Sequence, residues 1–242
     1  MNGSEMVWER DVVVEDICCR VLISDEAEAL LAAKAAGRVI VGCLGEDGRG
    51  QLPMADYLVE SIDAADGRYL ERVVRRERGL PWKIAENNRL RLREFTVGDA
   101  MQIPEEPGDQ AADRVFYERE KLAAYIQSQY RFLEYGLWAV ERKRDGKILG
   151  KAGLTNCDGN GYFELAYHIF KPWRRQGYAQ EACRMVIDYV WEEYKEAAKG
   201  IYAVVEASNY ASAGLLQKLG FSLTEPGCSG ARHRYCLCGP YC

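Results

Sequence analysis

The sequence predicts an α+β fold, a mixed and mostly antiparallel sheet covered by helices, preceded by a small α/β unit. Three observations predict it. In the last two thirds, short runs of alternating apolar and polar residues follow one another across glycine turns at Asp145-Gly146 and at Gly159 to Gly161, the pattern of a strand meander. Two amphipathic helices follow, one on each side of the run IYAVVEA, and can cover a face of that meander. In the first third the order is strand, helix, strand, and the second of these strands is apolar throughout, as expected where a parallel strand is covered on both faces.

The first unit, residues 1–85, reads from Val21 as VLISD, then EAEALLAAKAAG, then RVIVGCL. Asp25 with Glu28 makes a capping box at the helix start, and Gly37 supplies the left-handed residue at its end. A turn-rich stretch EDGRGQLP leads to a short strand ADYLVES and a helix DGRYLERVVRRERG closed by Gly79 and Pro81. The connection from Trp82 to Asn88 is short and not rich in Gly or Ser, so it reads as a stiff joint.

The second unit, residues 86–242, opens on RLRLREF, where Leu90 and Leu92 point one way and the arginines the other. A helix from about Arg119 to Tyr135 follows, and then LWAVER and ILGKAGL form a hairpin whose charges, Arg142 to Arg144 and Lys151, read as solvated. YFELAYHIF is the next strand. The helix after it carries Ala182, Val186, Tyr189 and Val190 at helical spacing and ends at Gly200, and a last helix runs from Ala211 to Leu219. Trp138, Trp173 and Trp191 read as core or rim.

Composition narrows the function. With 242 residues, 48% hydrophobic and 29% charged, the chain suits a globular protein with a core of its own. A net charge of -5 argues against a nucleic-acid partner. No run approaches about eighteen apolar residues, and the polar start MNGSEMVWERD has no signal-peptide core, so the expectation is a cytoplasmic protein without a membrane partner. Monomer and homodimer both remain open. Nine cysteines cannot all pair within one chain, and reduced thiols are the expectation. Cys228, Cys236, Cys238 and Cys242 with His233 use the side chains zinc prefers, but no C-x-x-C knuckle exists, and ARHRYCLCG alternates like a last strand. No metal is expected.

The chemistry concentrates in Glu164 to Ala179, ELAYHIFKPWRRQGYA. A strand up to Phe170 is stopped by Pro172, a turn holds Arg174, Arg175 and Gly177, and a helix begins at about Ala179. The first amides of that helix are unpaired and converge on one point, which makes an anion site. Gly177 lets a phosphate approach the backbone with no Cβ in the way, and the two arginines add forked positive charge.

Arg174, Gly177 and Ala179 spell R-x-x-G-x-A. With Tyr167 and His168 before it, Glu181 just after it, and NYASAGLLQKLGF from Asn209 to Phe221, this resembles the acetyl-CoA-binding signature of the GNAT acetyltransferase superfamily. The likeness runs from about Arg89 to the C-terminus. It is closest to the branch that acetylates protein N-termini, such as those of ribosomal proteins, or small amines. The resemblance implies a strand pair that splays apart, with the pantetheine arm held by the backbone near Tyr167, His168, Ile169 and Phe170. It implies a diphosphate site at Arg174, Arg175, Gln176, Gly177, Tyr178 and Ala179, and contacts from Asn209 and Ser212. Acetyl-CoA is the co-substrate it implies, with an amine as acceptor. The segment from Val21 to about Glu71 resembles part of a haloacid dehalogenase-like unit, but the nucleophilic aspartate of that family is missing, which implies a non-catalytic remnant used for docking or regulation.

Attack on a thioester needs a neutral amine, donors for the carbonyl oxygen and a proton for the departing thiolate. Glu164 is the candidate base, with an exposed strand carboxylate as its plain alternative; His168 is the other candidate, or a structural histidine. The resemblance puts Leu216 where the family often has an acidic tyrosine. Ser212 is then the candidate acid, with Tyr210 second, and Asn209 holds the pantetheine or caps the helix. The leading expectation is an N-acetyltransferase. The rivals are an acyl-CoA-binding sensor without turnover and a metal-linked interaction module.

Overall fold

A computed structural model describes residues 7–45, 52–105, 114–225 and 232–240. The chain divides into two compact units, Met1–Trp82 and Lys83–Cys242.

The first unit is a four-stranded sheet in the order β1 (Val7–Val14), β2 (Ile17–Ser24), β3 (Val39–Cys43), β4 (Leu58–Val59). β1 pairs antiparallel to β2, and the remaining pairs are parallel. All five residues of β3 are buried because each face is covered. Val39 and Val41 pack with Leu70, Val73 and Val74 of α2 (Gly67–Glu77), while Ile40 packs with Leu30 and Ala33 of α1 (Ala27–Ala35). Gly37 does end α1 in the left-handed region, at φ 72°. The capping box at Asp25 does not form. Glu26 is the N-cap, without a side-chain cap bond, and its N–H donates instead to Ser24 Oγ at 3.0 Å. The strand expected over ADYLVES shrinks to its two central residues.

The second unit is an eight-stranded sheet, an α+β fold as expected. Its strands are β5 (Lys83–Glu86), β6 (Leu90–Arg93), β7 (Leu137–Arg142), β8 (Lys147–Cys157), β9 (Tyr162–Ile169), β10 (Gly200–Glu206), β11 (Ser222–Glu225) and β12 (Arg232–Cys238). They lie in the order β11-β12-β10-β9-β8-β7-β6-β5. Every neighbouring pair is antiparallel except β9 with β10. β5 lies where a joint was expected, so residues 83–85 belong to this sheet.

The helices of this unit are α3 (Arg119–Tyr125), which continues as a π-helix over Ile126–Leu133, α4 (Tyr178–Tyr194) and α5 (Tyr210–Lys218). The wider π turns are pinned by two tyrosines. The Tyr125 hydroxyl accepts from Leu137 N–H at 2.6 Å, and the Tyr130 hydroxyl accepts from Phe95 N–H at 3.2 Å. α4 stops at Tyr194, short of the expected Gly200, which is instead the first residue of β10.

Charged residues read as solvated turn inward. Arg142 is 5% exposed, bonded to Asp145 and stacked over the Trp173 ring at 4.3 Å, and Lys151 is 6% exposed with its ammonium 4.0 Å from the Phe116 centroid. Both cations sit on aromatic faces that attract them. Cys236 and Cys238 lie on β12, and no metal-holding group of His, Cys, Asp or Glu occurs among the described residues; Cys228 and Cys242 lie outside them.

Candidate active site

α4 starts directly after Gly177, whose φ of 83° is in the left-handed region that glycine adopts without cost. No side chain caps this helix start. In α2, by contrast, Asp66 accepts from Tyr69 N–H, and in α5 Asn209 accepts from Ser212 N–H at 3.1 Å. The uncapped first-turn amides of α4 therefore retain their capacity to bind an anion. They open on a cavity of about 870 Å³ lined by Gly177, Tyr178, Ala179 and Gln180 on one side, by Tyr167 and His168 of β9, and by residues of α5 on the other.

The turn before the helix is held from several sides. Arg174 donates from Nε to Ile169 O at 2.7 Å, and its Nη2 lies 3.3 Å from His168 Nε2. Arg175 adopts φ 63°. Tyr178 is buried, and the Arg89 guanidinium lies over its ring at 4.7 Å from the centroid. These contacts turn a glycine-bearing loop into a preformed cradle, which lowers the ordering cost of binding.

A second opening lies within the sheet. β9 and β10 pair only over Tyr162 to Glu164 with Gly200 to Tyr202. Beyond that, β9 runs on to Ile169 and β10 to Glu206 without pairing, so the two strands part. The gap holds a cavity of about 340 Å³ whose lining includes Glu164, Ala166, Glu206 and Arg232. Tyr167, Asn209 and Ser212 line this cavity and the larger one alike, so the two share one wall. The Tyr167 hydroxyl donates to Ser212 O at 3.5 Å, and burial pushes its pKa up to about 12, so it keeps its proton at neutral pH.

The residues singled out in the sequence divide between these spaces. Glu164 lines the gap, while His168, Ile169, Arg174, Arg175, Gly177, Tyr178 and Ala179 line the space at the helix start. Phe170 and Gln176 line neither. Phe170 is packed in the core and its N–H donates to Leu149 O at 2.9 Å, so neither its ring nor its amide is available. Gln176 turns its side-chain amide to Pro172 O at 3.3 Å and its carbonyl to Arg89. Tyr210 is 82% exposed at the mouth, and Leu216 is fully buried in the core.

Several contributors escaped the sequence reading. Glu206 and Arg232 in the gap carry no motif. Arg89 and Asn87 reach the loop from a strand turn, and Arg89 contacts Glu181 across 92 positions, a spacing that no local pattern reveals.

A model of the acetyltransferase (GNAT) domain matches residues 89–222, more than half of the chain. An uncharacterised N-acetyltransferase of Bacillus subtilis (strain 168), YjdG, is 36% identical over 89 residues, 36% of this chain and 52% of that protein. The chain spans about half the length of the curated relatives it matches. Among solved structures, the ribosomal-protein-S5-alanine acetyltransferase of Vibrio fischeri aligns at TM-score 0.51 and 17% identity, covering 66% of this chain and 97% of its own. A GNAT-family acetyltransferase of Bacillus anthracis aligns at TM-score 0.51 and 17% identity, covering 65% and 98%. These structural likenesses concern the fold. The family match begins just before β6 and runs through both the uncapped helix and the parted strands, and because it covers more than half of the chain, the chain belongs to the GNAT acetyltransferase family.

Proposed function

We propose that the protein is an acetyl-CoA-dependent N-acetyltransferase acting on a primary amine, either a peptide or protein N-terminus or a small amine. The observation that carries this reading is the shared wall of the two cavities at Tyr167, Asn209 and Ser212. One space ends at an uncapped helix start suited to a diphosphate, and the other opens between parted strands beside a carboxylate, so a thioester can enter from one side and an amine from the other.

In this reading the acceptor nitrogen attacks the thioester carbonyl within a ternary complex. The N–C bond forms, the C–S bond breaks, the nitrogen's proton passes to Glu164 and the departing thiolate takes a proton relayed by the Ser212 hydroxyl, which regains one from solvent in the same step. Glu164 is preferred to His168 because only Glu164 lines the gap, whereas His168 stands beside Arg174 on the coenzyme side. Tyr167, His168 and Ile169 border the pantetheine path, and Arg174, Arg175, Gly177, Tyr178 and Ala179 receive the diphosphate. Asn209 holds the first turn of α5 in place by its cap bond. The unit formed by residues 1–82 has a docking or regulatory role in this proposal and no chemistry of its own, since the nucleophilic aspartate that its resemblance calls for is missing.

A screen of peptide N-termini, polyamines and aminoglycosides with acetyl-CoA, read by thiol release, tests the assignment. Steady release with at least one acceptor is expected, and Glu164→Gln and Ser212→Ala should each lower kcat about 100-fold. If coenzyme binds and no acceptor releases thiol, the sensor reading replaces this one; if both variants keep full turnover, the assigned roles fall.

A further inference from the structure

The helix that would bind the coenzyme carries a carboxylate in its first turn. Glu181 is the acidic residue there, and its N–H bonds to Gly177 O at 3.2 Å, one turn from the loop apex. A carboxylate at that place is attracted by the positive end of the helix and so competes with any phosphate brought to the same amides. Left bare, it would repel a diphosphate.

It is not bare. Arg89 donates to Glu181 from Nε at 3.0 Å and again from Nη2, and Asn87 Nδ2 reaches the other carboxylate oxygen at 3.0 Å. The same Nη2 donates to Gln176 O at 3.1 Å, and the guanidinium lies 4.7 Å from the centroid of the Tyr178 ring. Arg89 thus touches the residues on both sides of Gly177. A Cβ built at Gly177 would stand 3.5 Å from Arg89 Nη2 and 3.9 Å from Glu181 Oε1, so the ion pair sits directly behind the apex of the loop. The strand turn that delivers these groups is itself fastened: Asn87 Oδ1 accepts from Arg89 N–H at 2.9 Å and Leu90 N–H at 2.7 Å, and Lys143 donates to Asn87 O at 3.1 Å.

We infer that Arg89 is a positioning residue for the coenzyme diphosphate, which neutralises Glu181 and holds the Gln176 carbonyl back so that the amides after it face the ligand. This rests on the coenzyme-binding reading above and adds to it a residue outside the loop and a charge-cancelling role. Arg89 and Glu181 are both partly exposed, so the effect is greatest at low ionic strength.

The test measures KM and kcat with acetyl-CoA and with acetyl-pantetheine, which has no diphosphate, for the wild type and for Arg89→Met, Glu181→Gln and the double variant. Arg89→Met should raise KM for acetyl-CoA on the order of tenfold at low salt, because it uncovers a full charge in the first turn of the helix whose amides would receive the phosphates. KM for acetyl-pantetheine and kcat should stay within about twofold. Glu181→Gln should not raise KM for acetyl-CoA, and the double variant should recover most of what Arg89→Met loses. An equal rise with both donors, a rise in Glu181→Gln as large as in Arg89→Met, or a double variant no better than the single one overturns the inference. Wild-type protein that gives no heat with coenzyme A by calorimetry overturns the coenzyme reading itself. Bound coenzyme in the wild type with unchanged affinity in Arg89→Met overturns the positioning role alone.

Discussion

Arg93 alternates with Leu92 along its strand, yet it is buried at 8% exposure. It survives there because its charge is fully engaged: Asp99 takes two bonds at 2.7 and 3.0 Å, and Glu141 takes Nε at 2.6 Å. Burial works against the guanidinium charge, and these partners more than offset it, raising the pKa above the ordinary arginine value. Asp99 also accepts from Thr96 N–H at 2.7 Å in a capping box. Asp99→Ala should therefore cost about 3 kcal/mol, since it leaves a buried cation with Glu141 as its one carboxylate and only the Glu94 carbonyl beside it. Urea unfolding measures this, and a loss under about 1 kcal/mol would contradict the account.

Asp145 gives a pH signature at the same scale. Hydrogen bonding to Arg142 holds its pKa down to about 2 from 3.8. A carboxylate depressed in the folded state stabilises above its unfolded value and loses that contribution as pH falls from 3.8 toward 2. The stability difference between wild type and Asp145→Asn should shrink across that window. A difference constant from pH 5 to 2 would show that the pair contributes nothing.

At the scale of elements, the strand, loop and helix around Gly177 were legible because each local cue agrees with its neighbours: proline stops the strand, glycine takes the positive φ, and helical periodicity resumes at once. Gly177→Val should distort that φ and press a branched side chain against the Arg89–Glu181 pair behind the loop, with a cost to stability of about 1–2 kcal/mol. Calorimetry should show coenzyme A affinity reduced on the order of tenfold or more; unchanged affinity would remove the diphosphate from this loop. Elsewhere the cues were too short or misled. β5 and β11 have four residues each, too few for alternation to register, and are made strands by their partners β6 and β12. The Asp25 box does not form because the helix starts one residue later, with Glu26 as its N-cap and its N–H taken by Ser24, the last residue of β2.

Across the whole molecule, the buried cores do not share residues between the two units. One cluster runs from Leu90 to Tyr235, and the other two lie between Val14 and Val74. A unit with its own core can fold alone. Residues 83–242 expressed by themselves should unfold in one cooperative transition and bind coenzyme A with the affinity of the full chain. A fragment lacking a cooperative thermal transition by circular dichroism would show that the first unit supplies something essential.

The sequence by itself determined the fold class, the order of most elements and the glycine turn that opens α4, because hydrophobic period, turn residues and helix ends act over a few residues of chain. Tertiary structure alone decided where β9 and β10 part, which cavity each candidate residue faces, and that Arg89 cancels Glu181. Those depend on strand register and on side chains that meet after long stretches of intervening chain, and electrostatic contacts of that kind leave no periodic trace in the order of the residues.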